Sequence, residues 1–177
     1  MSDLATYLSK WLCHDLATPA ATVMTASELL GTVADAEITG LVQDGAKRLV
    51  TRLRLVRAAF GPGGGPLSAT ALERLVREGL SDTPLHWARP GDASGDDVAL
   101  VASTALLLAD LAPGSALTVT GDGVHWDGPR ALPDAVVAAL GGANPADARG
   151  AVAAMVALAT ARVGVAATVA ADGITWR

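Results

Sequence analysis

"WLCHDLATPA", residues 11–20, makes two demands that conflict inside an ordinary helix. Apolar residues around it recur at helical spacing, at Leu4, Leu8, Leu12, Leu16, Val23 and Leu30. At about 100° per residue they fall in a narrow stripe on one face. Yet Pro19 lies inside that pattern. A proline in a helix interior removes a backbone hydrogen bond and crowds the carbonyl four residues back, here that of Asp15, at a cost of about 3 kcal/mol. Thr18, just before it, is expected to be pushed off helical angles. With Leu12 at the centre of the stripe, His14 falls about 200° round the helix, opposite the core and facing solvent. Thr18 lies one turn further along that outer face, with Ala17, Ala21 and Thr25 close by. A defect of this cost, just after an exposed His-Asp pair, points to a use.

Outward from that stretch, Gly31 is the expected stop of the first helix and Asp35 the expected cap of the next. A second helix is predicted over Ala36–Phe60, with its stripe at Ile38, Leu41, Val42, Leu49, Leu53, Val56 and Phe60. "GPGGGP", Gly61–Pro66, follows and no regular element can cross it. It divides the chain into a helical hairpin, residues 1–61, and a second domain, residues 66–177. A helix of about 27 residues is about 40 Å long. One facing helix leaves a flank of its stripe wet. Pairing two hairpins into a four-helix bundle buries that flank, so a homodimer through residues 1–60 is expected.

The second domain mixes elements. Ser68 caps a helix running to Leu80, and "LHWA", Leu85–Ala88, is a short strand. Asp96–Leu111 is a buried helix ended by Pro113 and Gly114. "ALTVTGDGVHWDG", Ala116–Gly128, reads as a hairpin around Gly-Asp-Gly. "LPDAVVAAL" is a short helix and Ala146–Val163 a longer one. "VAATVAADGITWR" closes as a second hairpin around Asp172 and Gly173. Helices alternating with a mostly antiparallel sheet define a two-layer α+β domain.

The totals agree with a folded protein. The chain has 177 residues, 51% hydrophobic and 18% charged, enough for one ordinary domain or two small ones. Aromatics make up only 3%, so Ala, Val and Leu must build the core. A net charge of −5 argues against nucleic acid as the main partner. Cys13, the single cysteine, excludes an internal disulfide and a cysteine-based metal cluster, and fits a reducing, cytoplasmic setting. The start of the chain has no basic region before an apolar core, so no signal peptide is expected. Ala151–Ala171 is nearly all apolar, but Arg162 near its middle would cost about 2.5–3.5 kcal/mol to insert in a bilayer. A buried helix followed by a strand is the better reading, with no membrane association.

At this point the sequence resembles a known family. "HDLATP", His14–Pro19, is similar to the phosphoacceptor box of dimeric histidine phosphotransfer domains in sensor histidine kinases, His-Asp/Glu-x-x-Thr/Asn-Pro. The wider stretch "LCHDLATPAATVMTASELL", Leu12–Leu30, most resembles the ChpT family of bacterial histidine phosphotransferases. Those look like a histidine kinase reduced to its helical hairpin and a degenerate, Bergerat-like ATPase domain. The likeness covers the whole chain in layout and is specific over about Leu12 to Leu30. It implies a dimeric four-helix bundle followed by a two-layer α/β sandwich. It also implies that His14 is the phosphoacceptor and that Asp15 orients and polarises its imidazole, holding the tautomer through the other ring nitrogen. Thr18 would help place the incoming group and Pro19 would supply a bend. The partner implied is a receiver domain, which brings its own aspartate and Mg²⁺. An ordinary imidazole titrates at about pH 6.5, so its neutral, nucleophilic form is well populated at pH 7. Phosphoryl transfer then depends on in-line positioning and charge neutralisation.

Kinase activity is not expected. Related ATP-binding domains need an Asn-bearing helix and glycine-rich phosphate loops. The equivalent helix here, "DDVALVASTALLLADLA", has no asparagine, and Asn144, the only one in the chain, precedes Pro145. "GDG", Gly121–Gly123, reads as a hairpin turn. "GPGGGP" lacks the following Lys and Ser/Thr of a phosphate loop. No ATP and no bound metal are therefore expected. His86 and His125 lack further ligands at metal spacing and read as strand surface residues. Trp11, Trp87, Trp126 and Trp176 read as packing residues. Lys47, Arg48, Arg52, Arg54 and Arg57 form a basic strip on the second helix. It is either a solvated face or, at Arg48 and Arg52, a dock for an acidic receiver surface or a support for the phosphoryl group. The expectation is a cytoplasmic, homodimeric histidine phosphotransferase passing a phosphoryl group from the receiver of a hybrid kinase to response regulators. A non-catalytic dimeric scaffold and an active kinase fragment are the alternatives.

Overall fold

A computed structural model describes residues 2–30, 36–61 and 64–177. Gly31 and Asp35, expected as stop and cap, and the centre of the "GPGGGP" stretch lie outside the described residues. The chain opens with two long helices, α1 (Ser2–Leu30) and α2 (Ala36–Phe60), packed as a hairpin. Then come α3 (Ala69–Gly79), β1 (Leu85–Trp87), α4 (Gly95–Leu111), β2 (Leu117–Val119) and β3 (Gly123–Trp126). The chain ends with α5 (Asp134–Leu140), α6 (Ala148–Val163), β4 (Ala167–Ala170) and β5 (Gly173–Trp176). The fold is α+β, a helical hairpin followed by a mixed sheet with helices.

The expected cap at Ser68 is in place, its hydroxyl accepting from the Ala71 amide, and the structure adds further caps. Ser94 and Asp97 form a reciprocal capping box at the start of α4. Asp147 caps α6, and Gly164 ends it in the left-handed conformation, φ 80°, that favours glycine. The sheet order is β1-β2-β3-β5-β4. Both predicted hairpins are present: β2 pairs antiparallel with β3, and β4 with β5. Among the described residues the only parallel neighbours, β1 and β2, are bridged by α4, because parallel strands need a long crossover.

The hairpin and the sheet domain share one hydrophobic cluster. Trp11 of α1 and Leu55, Val56 and Ala59 of α2 are buried together with Leu72, Val76 and Leu106. Helix α4 is the centre of this arrangement. Every residue from Val98 to Leu108 is buried, since the sheet, α6 and α2 cover it from different sides. Such a helix is apolar all round rather than amphipathic.

Two expectations need correction. Thr18 keeps its place in the helix, which runs through Pro19 without interruption. The reason is tertiary: α1 is held against α2 on both sides of the proline, by Asp15 before it and by Val23 beyond it, where a Cβ on Gly45 would lie 3.0 Å from the valine methyl. On α2, Leu41 and Leu53 were expected to face the core but are exposed, whereas Leu55 is fully buried. The face turned inward at the lower end of α2 is Thr51, Leu55 and Ala59, spaced by four, because α3 and α4 dock there.

Candidate functional site

His14 is exposed on α1, as the helical arithmetic places it, and Cys13 beside it is exposed too. Ala17, Thr18, Ala21 and Thr25 are also exposed, so the ring stands next to a strip of small side chains. Pro19 is half-buried. Its missing N–H leaves the Asp15 carbonyl without its helical donor. One turn on, the Thr22 hydroxyl donates to the Thr18 carbonyl at 3.1 Å.

Asp15 points away from this strip, into the hairpin. Arg52 Nε donates to Asp15 Oδ2 at 2.8 Å, and a terminal nitrogen of Arg52 donates to Oδ1. The pair is bidentate, with side chains only 18% and 13% exposed for Arg52 and Asp15. Charge-assisted pairs of this geometry are the strong ones. Arg52 also donates to the Gly79 carbonyl at 3.2 Å, and its guanidinium lies 6.0 Å from the Trp11 ring centroid. Trp11 is itself fixed by an edge contact with Phe60, centroids 5.7 Å apart. Among the described residues, no side-chain hydrogen bond or ion pair involves His14.

Beside this pair lies a cleft of about 560 Å³ between the hairpin and the sheet domain. Asp15, Thr18, Pro19 and Thr22 line it from α1, and Arg48 and Arg52 from α2. The opposite wall is residues 79–83, with Asp110 and Pro113 at the end of α4. Arg48 reaches across to Asp82 at 3.0 Å, but these side chains are 57% and 75% exposed, so solvent and salt screen them. Asp110 is held by Arg149 at 2.9 Å. The structure thus brings Asp15, Thr18, Pro19, Arg48 and Arg52 to one cleft. Ala17, Ala21 and Thr25 are not among its lining residues. The wall formed by Gly79, Asp82 and Asp110 was not anticipated, and no local pattern in the sequence marks it.

The remaining candidates resolve simply. His86 is exposed on β1. His125 is not a plain surface residue: it is half-buried, with Nδ1 3.3 Å from Asp172 Oδ1, because β5 runs alongside β3 and brings the turn before it to the ring. Trp11, Trp126 and Trp176 are buried, and Trp126 Nε1 donates to the Leu108 carbonyl at 3.0 Å. The "GDG" segment is a hairpin turn, closed by the Thr120 amide on the Gly123 carbonyl at 2.9 Å. Among the described residues, no group of three or more His, Cys, Asp or Glu is placed to hold a metal ion. Among them, too, no helix is long and apolar enough to cross a membrane.

No protein-family model matches the chain, and no curated protein matches it. The fold is similar to that of a solved structure described as "1.7 Angstrom Structure of a Bacterial Phosphotransferase". The match has a TM-score of 0.74 and spans 99% of this chain and 95% of that one, at 21% sequence identity. At that identity the likeness establishes the fold.

Proposed function

We propose that this chain is a histidine phosphotransferase that carries a phosphoryl group on His14 between receiver domains. The observation that carries the proposal is His14 itself, an exposed imidazole with no side-chain partner, at the start of "HDLATP" on a long helical hairpin. The description of the structurally similar protein as a bacterial phosphotransferase supports it. One neutral ring nitrogen attacks phosphorus in line, and the donor's carboxylate leaves. Phosphoryl transfer of this kind needs positioning more than covalent help. Small side chains at Ala17 and Ala21 give a partner's loops close approach. The cleft with Thr18, Arg48 and Arg52 lies on the same hairpin and offers polar and cationic groups, although His14 itself is not among its lining residues.

The partners proposed are the receiver of a hybrid kinase upstream and response regulators downstream, each bringing its own aspartate and Mg²⁺. The protein works in the cytoplasm as a homodimer through its hairpin. Transfer without ATP is the reading favoured for the sheet domain, since Val98 to Leu108 of α4 are all committed to packing and leave no side chain there for a nucleotide or its metal.

The test is direct. Incubation with a phosphorylated receiver should place label on the wild type and none on His14→Ala. Label on both, or on neither, would dispose of the proposal.

A further inference from the structure

The acid next to His14 is already occupied. Arg52 holds both oxygens of the Asp15 carboxylate, and is itself braced by the Gly79 carbonyl and the Trp11 ring. Neighbouring side chains on a helix leave the backbone about 100° apart, so Asp15 can reach the ring only when it is not held elsewhere. A carboxylate fixed to α2 is therefore turned from the imidazole beside it. Both groups of the pair line the cleft together with Arg48 and the carboxylates of Asp44, Asp82 and Asp110, so an anion reaching Arg52 there competes with Asp15 for it.

We propose that Arg52 is a positioning residue that holds Asp15 in reserve, and that an incoming phosphoryl group takes over Arg52 and frees Asp15 for the His14 ring. This rests on the phosphotransfer reading. A guanidinium fork fits phosphoryl oxygens as well as carboxylate oxygens, so the exchange leaves Arg52 paired throughout. Arg48 can assist from the same wall, since its bridge to Asp82 is exposed and easily given up.

Asp15 gains a partner in the same step. The lone pair of one ring nitrogen forms the N–P bond. The P–O bond to the donor carboxylate breaks, and its electron pair stays on the carboxylate oxygen. The other ring nitrogen keeps its proton, so the phosphorylated ring is cationic, and a carboxylate accepting from that N–H stabilises the charge. A released Asp15 is the nearest carboxylate in sequence to take that hydrogen bond. The arrangement keeps the ring free of its acid until an anion is present, which ties activation of His14 to arrival of the donor.

The experiment is ring-nitrogen NMR of the full, unphosphorylated chain above about pH 8, where imidazoles are neutral. The tautomer is set by the hydrogen bond made by the other nitrogen. In the wild type, His14 should show the tautomer balance of a free imidazole. In Arg52→Gln, the released carboxylate should make the Nδ1–H form the major one. Arg52→Lys, which keeps a cation for Asp15, should restore the wild-type balance. The Asp15→Asn/Arg52→Gln double variant should lose the change, which separates a moved carboxylate from a lost cation. An unchanged balance in Arg52→Gln, or the same change in the double variant, would overturn the proposal. Arg52→Met, which keeps the stem over Trp11, replaces Arg52→Gln if the latter does not fold. No phosphoryl donor is used, so failed labelling of His14 and a failed tautomer change are separate results.

Discussion

Arg52 grips Asp15 across the hairpin, although the two are 37 positions apart in the chain. Through the Gly79 carbonyl the same side chain also ties the helical hairpin to the end of α3. The acid beside His14 is thus part of the joint between hairpin and sheet domain.

This joint should be worth measurable stability. Asp15→Ala leaves a largely buried guanidinium without its carboxylate, and a loss of about 1–3 kcal/mol is expected in urea unfolding. Asp82→Ala removes the partner of Arg48 in an exposed pair and should cost less than about 1 kcal/mol. Equal losses at the two sites would contradict the burial difference. Both variants should be compared at one protein concentration, because any self-association would make stability depend on it.

Two glycines should respond in opposite directions to alanine. At Gly79 a Cβ would sit 2.5 Å from the Leu55 Cβ, an atom close to the α2 backbone that cannot swing aside. Gly79→Ala should cost about 1–3 kcal/mol by forcing α3 off α2. Gly40 lies in α2 with nothing within 4 Å of the added methyl. Gly40→Ala should instead stabilise by about 0.5–1 kcal/mol, since helix formation costs the backbone less. Thermal melts of the two variants check both signs.

Pro19 is tolerated because the hairpin holds the helix on either side of it. Pro19→Ala restores a donor for the Asp15 carbonyl and removes the ring's crowding. A gain of up to about 3 kcal/mol in unfolding free energy is expected. A melting midpoint at or below that of the wild type would mean the proline is compensated locally.

The hairpin exposes more apolar surface than a lone helix pair needs. Met24 is 65% exposed, and Leu41, Val50 and Leu53 lie between 43% and 50%. Burying one such side chain against a second copy is worth about 1.5–3 kcal/mol at most. Leu53→Glu should therefore shift sedimentation from dimer to monomer at micromolar concentration. A wild type that sediments as a monomer would remove the four-helix bundle from the functional proposal.

The sequence carried the local decisions well. Period-3.6 stripes placed α1 and α2, and Gly-centred turns between alternating residues placed both hairpins. The cap at Ser68 and the outward direction of His14 also follow from local geometry. These are set by residues within a turn or two of each other, where spacing fixes direction. The α2 stripe was less legible. Its lower end shows a different face because α3 and α4 press on it, and nothing within α2 encodes their position.

Two long helices, an exposed His14 with Asp15 beside it, and an α+β domain beyond a glycine-rich break were determined by the sequence alone. The tertiary structure decided where Asp15 goes. Its partner Arg52 lies on the other helix, its brace Gly79 lies on the domain beyond, and the cleft beside them exists only where those parts meet. Side-chain spacing along one helix reports which face a residue occupies. It does not report which charge, 37 positions away, is folded against that face.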